Sequence, residues 1–166
     1  MVLPRSARPT YDSASRGQGG THVECQDAEK PEIAGPEDAV DVSVIVSTYN
    51  NPSALEKTLY GLCCQTRRDF EVLIADDGST APTQELVARF QTESPFKIRH
   101  VWHEDLGFRK GRILNQAIVR AAGDYLILTD GDCIPRDDFV TAHCRLARPN
   151  YFIAGGSHID IPRRMH

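Results

Sequence analysis

No run of about 18 apolar residues occurs anywhere in the 166-residue sequence, which excludes a transmembrane helix. The start, MVLPRSARPT, carries arginines with no apolar stretch behind them, so a secretory signal is not expected. The five cysteines (Cys25, Cys63, Cys64, Cys133 and Cys144) form no CxxC pair, which argues against a disulfide scaffold and for free thiols in a reducing compartment. Cys133 with the neighbouring His143 and Cys144 matches no common zinc spacing; buried small side chains are the alternative to a metal cluster there. Basic charge is lacking too. The formal net charge is -4, and residues 1–41 account for all of it, with 8 acids against 4 bases. The remainder is neutral and lacks the basic footprint of a nucleic-acid binder. Two nucleotide signatures are also missing: no G-x-G-x-x-G follows the first apolar run, and no G-x-x-x-x-G-K-[ST] occurs.

Residues 1–40 hold few branched aliphatics among Gly, Pro, Ser and acids, too little apolar area to offset backbone entropy, and they read as a disordered leader. From residue 41 the texture changes. Val42–Thr48, Phe70–Ala75, Ile98–Trp102 and Tyr125–Thr129 read as strands, with Tyr151–Ala154 a candidate fifth. Between them, Pro52–Gln65, Thr83–Gln91 and Arg109–Ala122 carry apolar residues at helical spacing, the last with Gly123 placed as a C-terminal cap. A short helix, Asp137–Leu146, follows Pro135. This alternation predicts an α/β fold, a mostly parallel sheet with helices on both faces.

In such a sheet the ligand crevice lies beyond the carboxyl ends of the strands. Those ends read Thr48-Tyr49-Asn50-Asn51, Asp76-Asp77-Gly78-Ser79 and Asp130-Gly131-Asp132. Four acids at one edge repel one another unless a cation or several hydrogen-bond donors are supplied. A divalent ion is the economical supply, and oxygen ligands of this kind suit Mg²⁺ or Mn²⁺ completed by phosphate oxygens and water. The implied ligand is a nucleoside diphosphate. Arg109, Lys110 and Arg112 open a helix where cations oppose the macrodipole, which suggests an anionic ligand; three solvated side chains are the alternative.

With these segments in view, VSVIVSTYNNPSALEKTLYGLCCQTRRDFEVLIADDGST, HEDLGFRKGRILNQAI and DYLILTDGDCIPRDDF together resemble an inverting family 2 glycosyltransferase of the GT-A (Rossmann-like) fold. The subgroup includes the N-terminal transferase domain of chondroitin polymerase and bacterial surface-polysaccharide transferases. The resemblance implies a UDP-type nucleotide-sugar donor, Mn²⁺ or Mg²⁺, and a glycan or lipid-linked saccharide acceptor. It implies that Thr48, Tyr49 and Asn50 border the nucleoside, that Asp77 accepts a hydrogen bond from the base, and that Asp130 lies near the ribose. It further implies that Asp132 coordinates the metal and that Arg109 and Arg112, supported by Asn115, lie near the base or diphosphate.

Residues 41–166 then correspond to the donor half of a C-terminally incomplete domain, with the acceptor half missing or carried by a companion chain. The catalytic base is expected beyond His166, His158 and Asp160 being the late titratable residues. The expected location is cytoplasmic, at the inner face of a membrane through partners. Two other readings exist: a nucleotide-sugar-binding remnant without turnover, and a receiver-type signalling domain, whose acids follow strands one and three instead.

Overall fold

The computed structural model describes residues 42–156; the leader expected over 1–40, Cys25, His158 and Asp160 lie outside that range. The element order is β1 (Val42–Thr48), α1 (Pro52–Cys63), β2 (Phe70–Asp76), α2 (Ala81–Glu93), β3 (Ile98–Trp102), α3 (Lys110–Arg120), β4 (Tyr125–Asp130) and α4 (Phe139–Leu146). The four strands form one sheet in the order β3-β2-β1-β4, and every pairing is parallel.

Alternation along the strands divides the apolar side chains between two layers. Val42, Val44 and Val46 of β1 pack with Val72, Ile74 and Ile127 under Leu55, Leu59 and Leu62 of α1, Val87 and Phe90 of α2 and Val140 of α4. Ile45, Leu73, Ala75 and Val101 face the other way, under Ile113 and Ala117 of α3. Helices therefore cover both faces, and each fully buried Leu or Ile contributes about 1.5–3 kcal/mol. Among the described residues no helix is long and apolar enough to cross a membrane.

Some local expectations are corrected. Tyr151–Ala154 forms no strand, and Tyr151 and Phe152 are exposed. α1 stops two residues before Gln65, because the buried Gln65 side chain accepts the Val140 N–H at 3.0 Å and donates to the carbonyl oxygens of Gly61 (3.0 Å) and Arg136 (2.5 Å). α3 stops at Arg120 without a glycine cap. Ala121 turns extended, the Ala122 N–H goes to Glu71 Oε1 at 2.7 Å, and the Gly123 N–H goes to Ser43 Oγ at 2.9 Å. The cysteines are not all buried small side chains either: Cys64 and Cys133 are exposed and Cys63 and Cys144 half-buried, and among the described residues Cys133, His143 and Cys144 belong to no group of three or more potential metal ligands.

Glu71, whose side chain is 12% exposed, joins three elements at the amino end of the sheet, accepting also from Ser43 Oγ and Arg99 Nη2. Burial alone raises a carboxyl pKa, but the Ala122 N–H, the Ser43 hydroxyl and the Arg99 guanidinium together hold Glu71 below its ordinary value. The stabilisation this gives is complete above the unfolded pKa and is lost as pH falls through the lower, folded one. Glu71→Gln is expected to cost about 1–3 kcal/mol at neutral pH. It should also flatten the decline in urea midpoint below about pH 5, a loss visible when both proteins are unfolded across an acid series.

Candidate functional site

β1 ends in the buried Ser47 and Thr48, and the chain then leaves the sheet through Asn50 in the left-handed region (φ 46°), a conformation asparagine tolerates. Asn50 is used structurally. Its N–H donates to Ser79 Oγ at 2.8 Å, and its side-chain oxygen accepts from the Thr80 N–H and Oγ1 at 2.9 Å each. The loops after β1 and β2 are thereby tied together. Asn51 then caps α1, its Oδ1 accepting the Ala54 N–H at 3.3 Å ahead of Pro52.

The β2 end carries two buried acids, each met by protein donors. Asp76 accepts the Ser79 N–H at 2.8 Å and lies 2.8 Å from His100 Nε2. Asp77 lies 2.7 Å from His103 Nε2 and accepts the Arg109 N–H at 2.8 Å. The second bond sets a carboxylate at the N-terminus of α3, where the macrodipole favours it. The anion suggested by the basic start of that helix is thus supplied, at this position, by the chain itself. Gly78 follows with φ 96°, and a Cβ there meets Asp105 Cα at 2.6 Å. The β3–α3 loop is packed directly on this turn, and Tyr49 Oη donates to Asp105 Oδ2 at 2.8 Å across its rim.

At the end of β4, Asp130-Gly131-Asp132-Cys133 forms a turn closed by the Cys133 N–H on the Asp130 carbonyl at 3.1 Å. The Gly131 N–H donates to the Ser47 carbonyl at 2.7 Å, and its own carbonyl accepts from the buried Thr58 Oγ1 at 3.0 Å. A Cβ at Gly131 meets that Ser47 oxygen at 2.9 Å, so a residue without a side chain is needed between the two acids. Asp130 Oδ1 accepts from Ser47 Oγ at 2.6 Å and pairs with Lys110 Nζ at 2.5 Å. The Lys110 ammonium, then the Ser47 hydroxyl, hold the Asp130 carboxyl below its ordinary pKa. Asp132 differs from the other three acids. It is exposed, and among the described residues its one contact is with Cys133 Sγ at 3.7 Å.

These ends enclose a cleft of about 250 Å³ between β1 and β4, where the strand order reverses. Thr48, Tyr49, Asp77, Asp130 and Asp132 line it together, as do Ser47, Asn51, Phe108 and Lys110. Asn50 is spent on Ser79 and Thr80 instead. Arg109 donates through Nη2 to the Glu104 carbonyl, and Arg112 and Asn115 line a separate shallow hollow on α3 with Gln116, Val119 and Arg120. Lys110 was hidden among three neighbouring cations in sequence, and the misfit of basic residues at a helix start was the signal for it. Phe108, 89% exposed, carried no such signal.

Three of the four acids have protein donors, so mutual repulsion alone no longer demands a metal. The donor set left over still fits one. Asp132 and the neighbouring Asp130 are hard oxygen ligands, and Mg²⁺ or Mn²⁺ takes one or two carboxylates, completing its shell with phosphate oxygens and water. Among the described residues no group of three or more His, Cys, Asp or Glu stands ready to cage an ion by itself. The acids follow β2 and β4, the arrangement opposite to that of a receiver-type domain.

Residues 43–162 match the family described as Glycosyl transferase family 2. A validoxylamine A glucosyltransferase of Streptomyces hygroscopicus subsp. jinggangensis is 35% identical over 131 residues, covering 75% of this chain and 30% of that protein. A chondroitin synthase of Escherichia coli is 34% identical over 106 residues, 63% of this chain and 15% of its own length. The chain therefore spans a third or less of these two relatives. Among solved structures, the mannosyltransferase PcManGT of Pyrobaculum calidifontis, in complex with GDP-Man and Mn²⁺, aligns with a TM-score of 0.61 at 33% identity. That alignment covers 72% of this chain and 36% of PcManGT. S. aureus TarS 1-349 in complex with UDP-GlcNAc aligns with a TM-score of 0.54 at 27% identity, over 61% of this chain and 29% of that one.

Proposed function

The chain belongs to glycosyl transferase family 2, and from that membership we propose that residues 41–166 form the donor-binding half of an inverting, metal-dependent glycosyltransferase that uses a UDP-sugar. The observation that carries this reading is the convergence of Asp77, Asp130 and Asp132 with Lys110 on one cleft at the carboxyl edge of the sheet. Solved relatives in complex with a nucleotide sugar, one of them with Mn²⁺, support it.

In this reading Thr48 and Tyr49 border the nucleoside, and Asp77 accepts an N–H of the base. Two donors already fix the Asp77 carboxylate, so it meets the base without reorientation. Asp130 accepts from a ribose hydroxyl, and Asp132 with phosphate oxygens would hold Mn²⁺ or Mg²⁺. The bound ion would supply positive charge where the departing diphosphate develops negative charge. The reaction class is in-line displacement at the anomeric carbon. An acceptor hydroxyl oxygen of a glycan or lipid-linked saccharide forms the new bond as the bond to the diphosphate breaks. Its proton passes to a carboxylate base outside the described residues.

Calorimetry of the full chain with UDP, with and without Mn²⁺, tests the reading. Saturable binding that tightens at least tenfold (about 1.4 kcal/mol) with the metal is expected, and GDP should bind more weakly than UDP. A chain that binds neither nucleotide under either condition overturns the reading. Transfer or hydrolysis of a UDP-sugar by the full chain would in addition exclude a binding module without turnover.

A further inference from the structure

We propose that Lys110 is the diphosphate-binding cation of this cleft, held by Asp130 in the empty protein and transferred to a phosphate oxygen when a nucleoside diphosphate enters. The inference rests on the donor-binding reading above and names a residue for it.

Among the described residues that line the cleft, Lys110 is the one cation. The two arginines beside it are directed elsewhere: Arg109 is engaged with the Glu104 carbonyl, and Arg112 lines the separate hollow on α3. Three carboxylates share the cleft with it. A diphosphate adds further negative charge, more than one divalent ion offsets, and Lys110 is the side-chain cation among the described lining residues placed to meet it. Lysine suits the task as a compact point charge on a flexible four-carbon stem.

The geometry also explains how Lys110 can leave its present partner. Its side chain is 39% exposed and that of Asp130 is 54% exposed, so the ion pair is solvated and weak, and little is lost when it opens. Ser47 Oγ stays on the same Asp130 oxygen at 2.6 Å and keeps the carboxylate in place after the ammonium departs. Asp130 is then free to accept from a ribose hydroxyl. The pair acts as a placeholder: it keeps the cation at the phosphate position and prevents the acids from facing one another uncompensated.

Titration calorimetry with UDP and with uridine, on the full chain in Mn²⁺, tests the assignment. Lys110→Ala, with Lys110→Gln as a second variant, is expected to weaken UDP at least tenfold and leave uridine unchanged. A role confined to neutralising Asp130 makes a different forecast for the double variant Lys110→Ala/Asp130→Asn: with no charge left to neutralise, UDP affinity returns to that of Asp130→Asn alone. If Lys110 binds phosphate, the double variant stays at least tenfold weaker than Asp130→Asn. Wild-type affinity for UDP should also fall more steeply with salt than that of Lys110→Ala. Unchanged UDP affinity in Lys110→Ala and Lys110→Gln, or recovery in the double variant, overturns the Lys110 assignment and leaves the donor-binding reading standing. Absence of UDP binding by the wild type overturns both.

Discussion

Replacing Asp132 by alanine is expected to abolish the gain in UDP affinity that Mn²⁺ confers, bringing the metal-containing titration down at least tenfold to the metal-free value. The expectation follows from its being, among the four described acids that end β2 and β4, the one without a strong protein donor. Asp76, Asp77 and Asp130 each have hydrogen-bonding or ionic partners within the chain. Because Asp132 is exposed and its one hydrogen bond among the described residues is the weak one from Cys133 Sγ, its removal should leave the thermal midpoint within about a degree of wild type, as surface substitutions usually do. The metal-free titration supplies a sign check. A carboxylate beside bound phosphate is repulsive, so without Mn²⁺ the variant should bind UDP as well as wild type or slightly better. Full retention of Mn²⁺ dependence in Asp132→Ala would mean that the ion is held elsewhere.

Gly78→Ala is expected to be the most destabilising single change in the loops around the cleft, costing about 2–4 kcal/mol. Two effects add. The backbone sits at φ 96°, which strains any residue with a Cβ, and that Cβ would meet Asp105 Cα and N at 2.6 and 2.7 Å. The obstacle is backbone, so the β3–α3 loop must shift as a body. Asp77 is adjacent, and its Arg109 partner lies at the end of that loop, so the change should weaken UDP binding as well. Gly107→Ala separates the two effects. It shares a positive φ, 86°, but has nothing within 4 Å of the added carbon, and should cost about 1 kcal/mol. Thermal denaturation of the pair checks this: at roughly 4 °C per kcal/mol for a domain of this size, Gly78→Ala should melt about 8–16 °C below wild type. Equal midpoints for the two variants would show that the contact with Asp105 is relieved without cost.

The strands were legible because β-branched runs such as VSVIVST, set between turn residues, suit a sheet buried on both faces, and the observed strands match to within a residue. Helix ends were less legible wherever a distant side chain intervened. Nothing local marks Glu71 as the acceptor that draws the Ala122 N–H out of α3, or Gln65 as the residue that leaves α1 to anchor α4. The same holds at the cleft. The polar strand ends pointed to the carboxyl edge of the sheet, and Thr48, Tyr49, Asp77, Asp130 and Asp132 share one hollow there. Which acids were already satisfied depends on partners brought in by β3 and α3, such as His100 and His103, and sequence spacing is blind to these.

The bonds that pin the Gly131 N–H to the Ser47 carbonyl and the Gly131 carbonyl to the Thr58 hydroxyl carry a thermodynamic consequence. Both carboxylates of the turn hang from backbone that the sheet and α1 already hold rigid, so an arriving ligand finds the scaffold ordered beforehand. What must rearrange is one lysine side chain exchanging one oxygen for another, a rotameric motion on the picosecond to nanosecond scale. Association at this edge of the protein is therefore expected to proceed at a rate set by encounter and by shedding of water, with no slow conformational phase in stopped-flow traces.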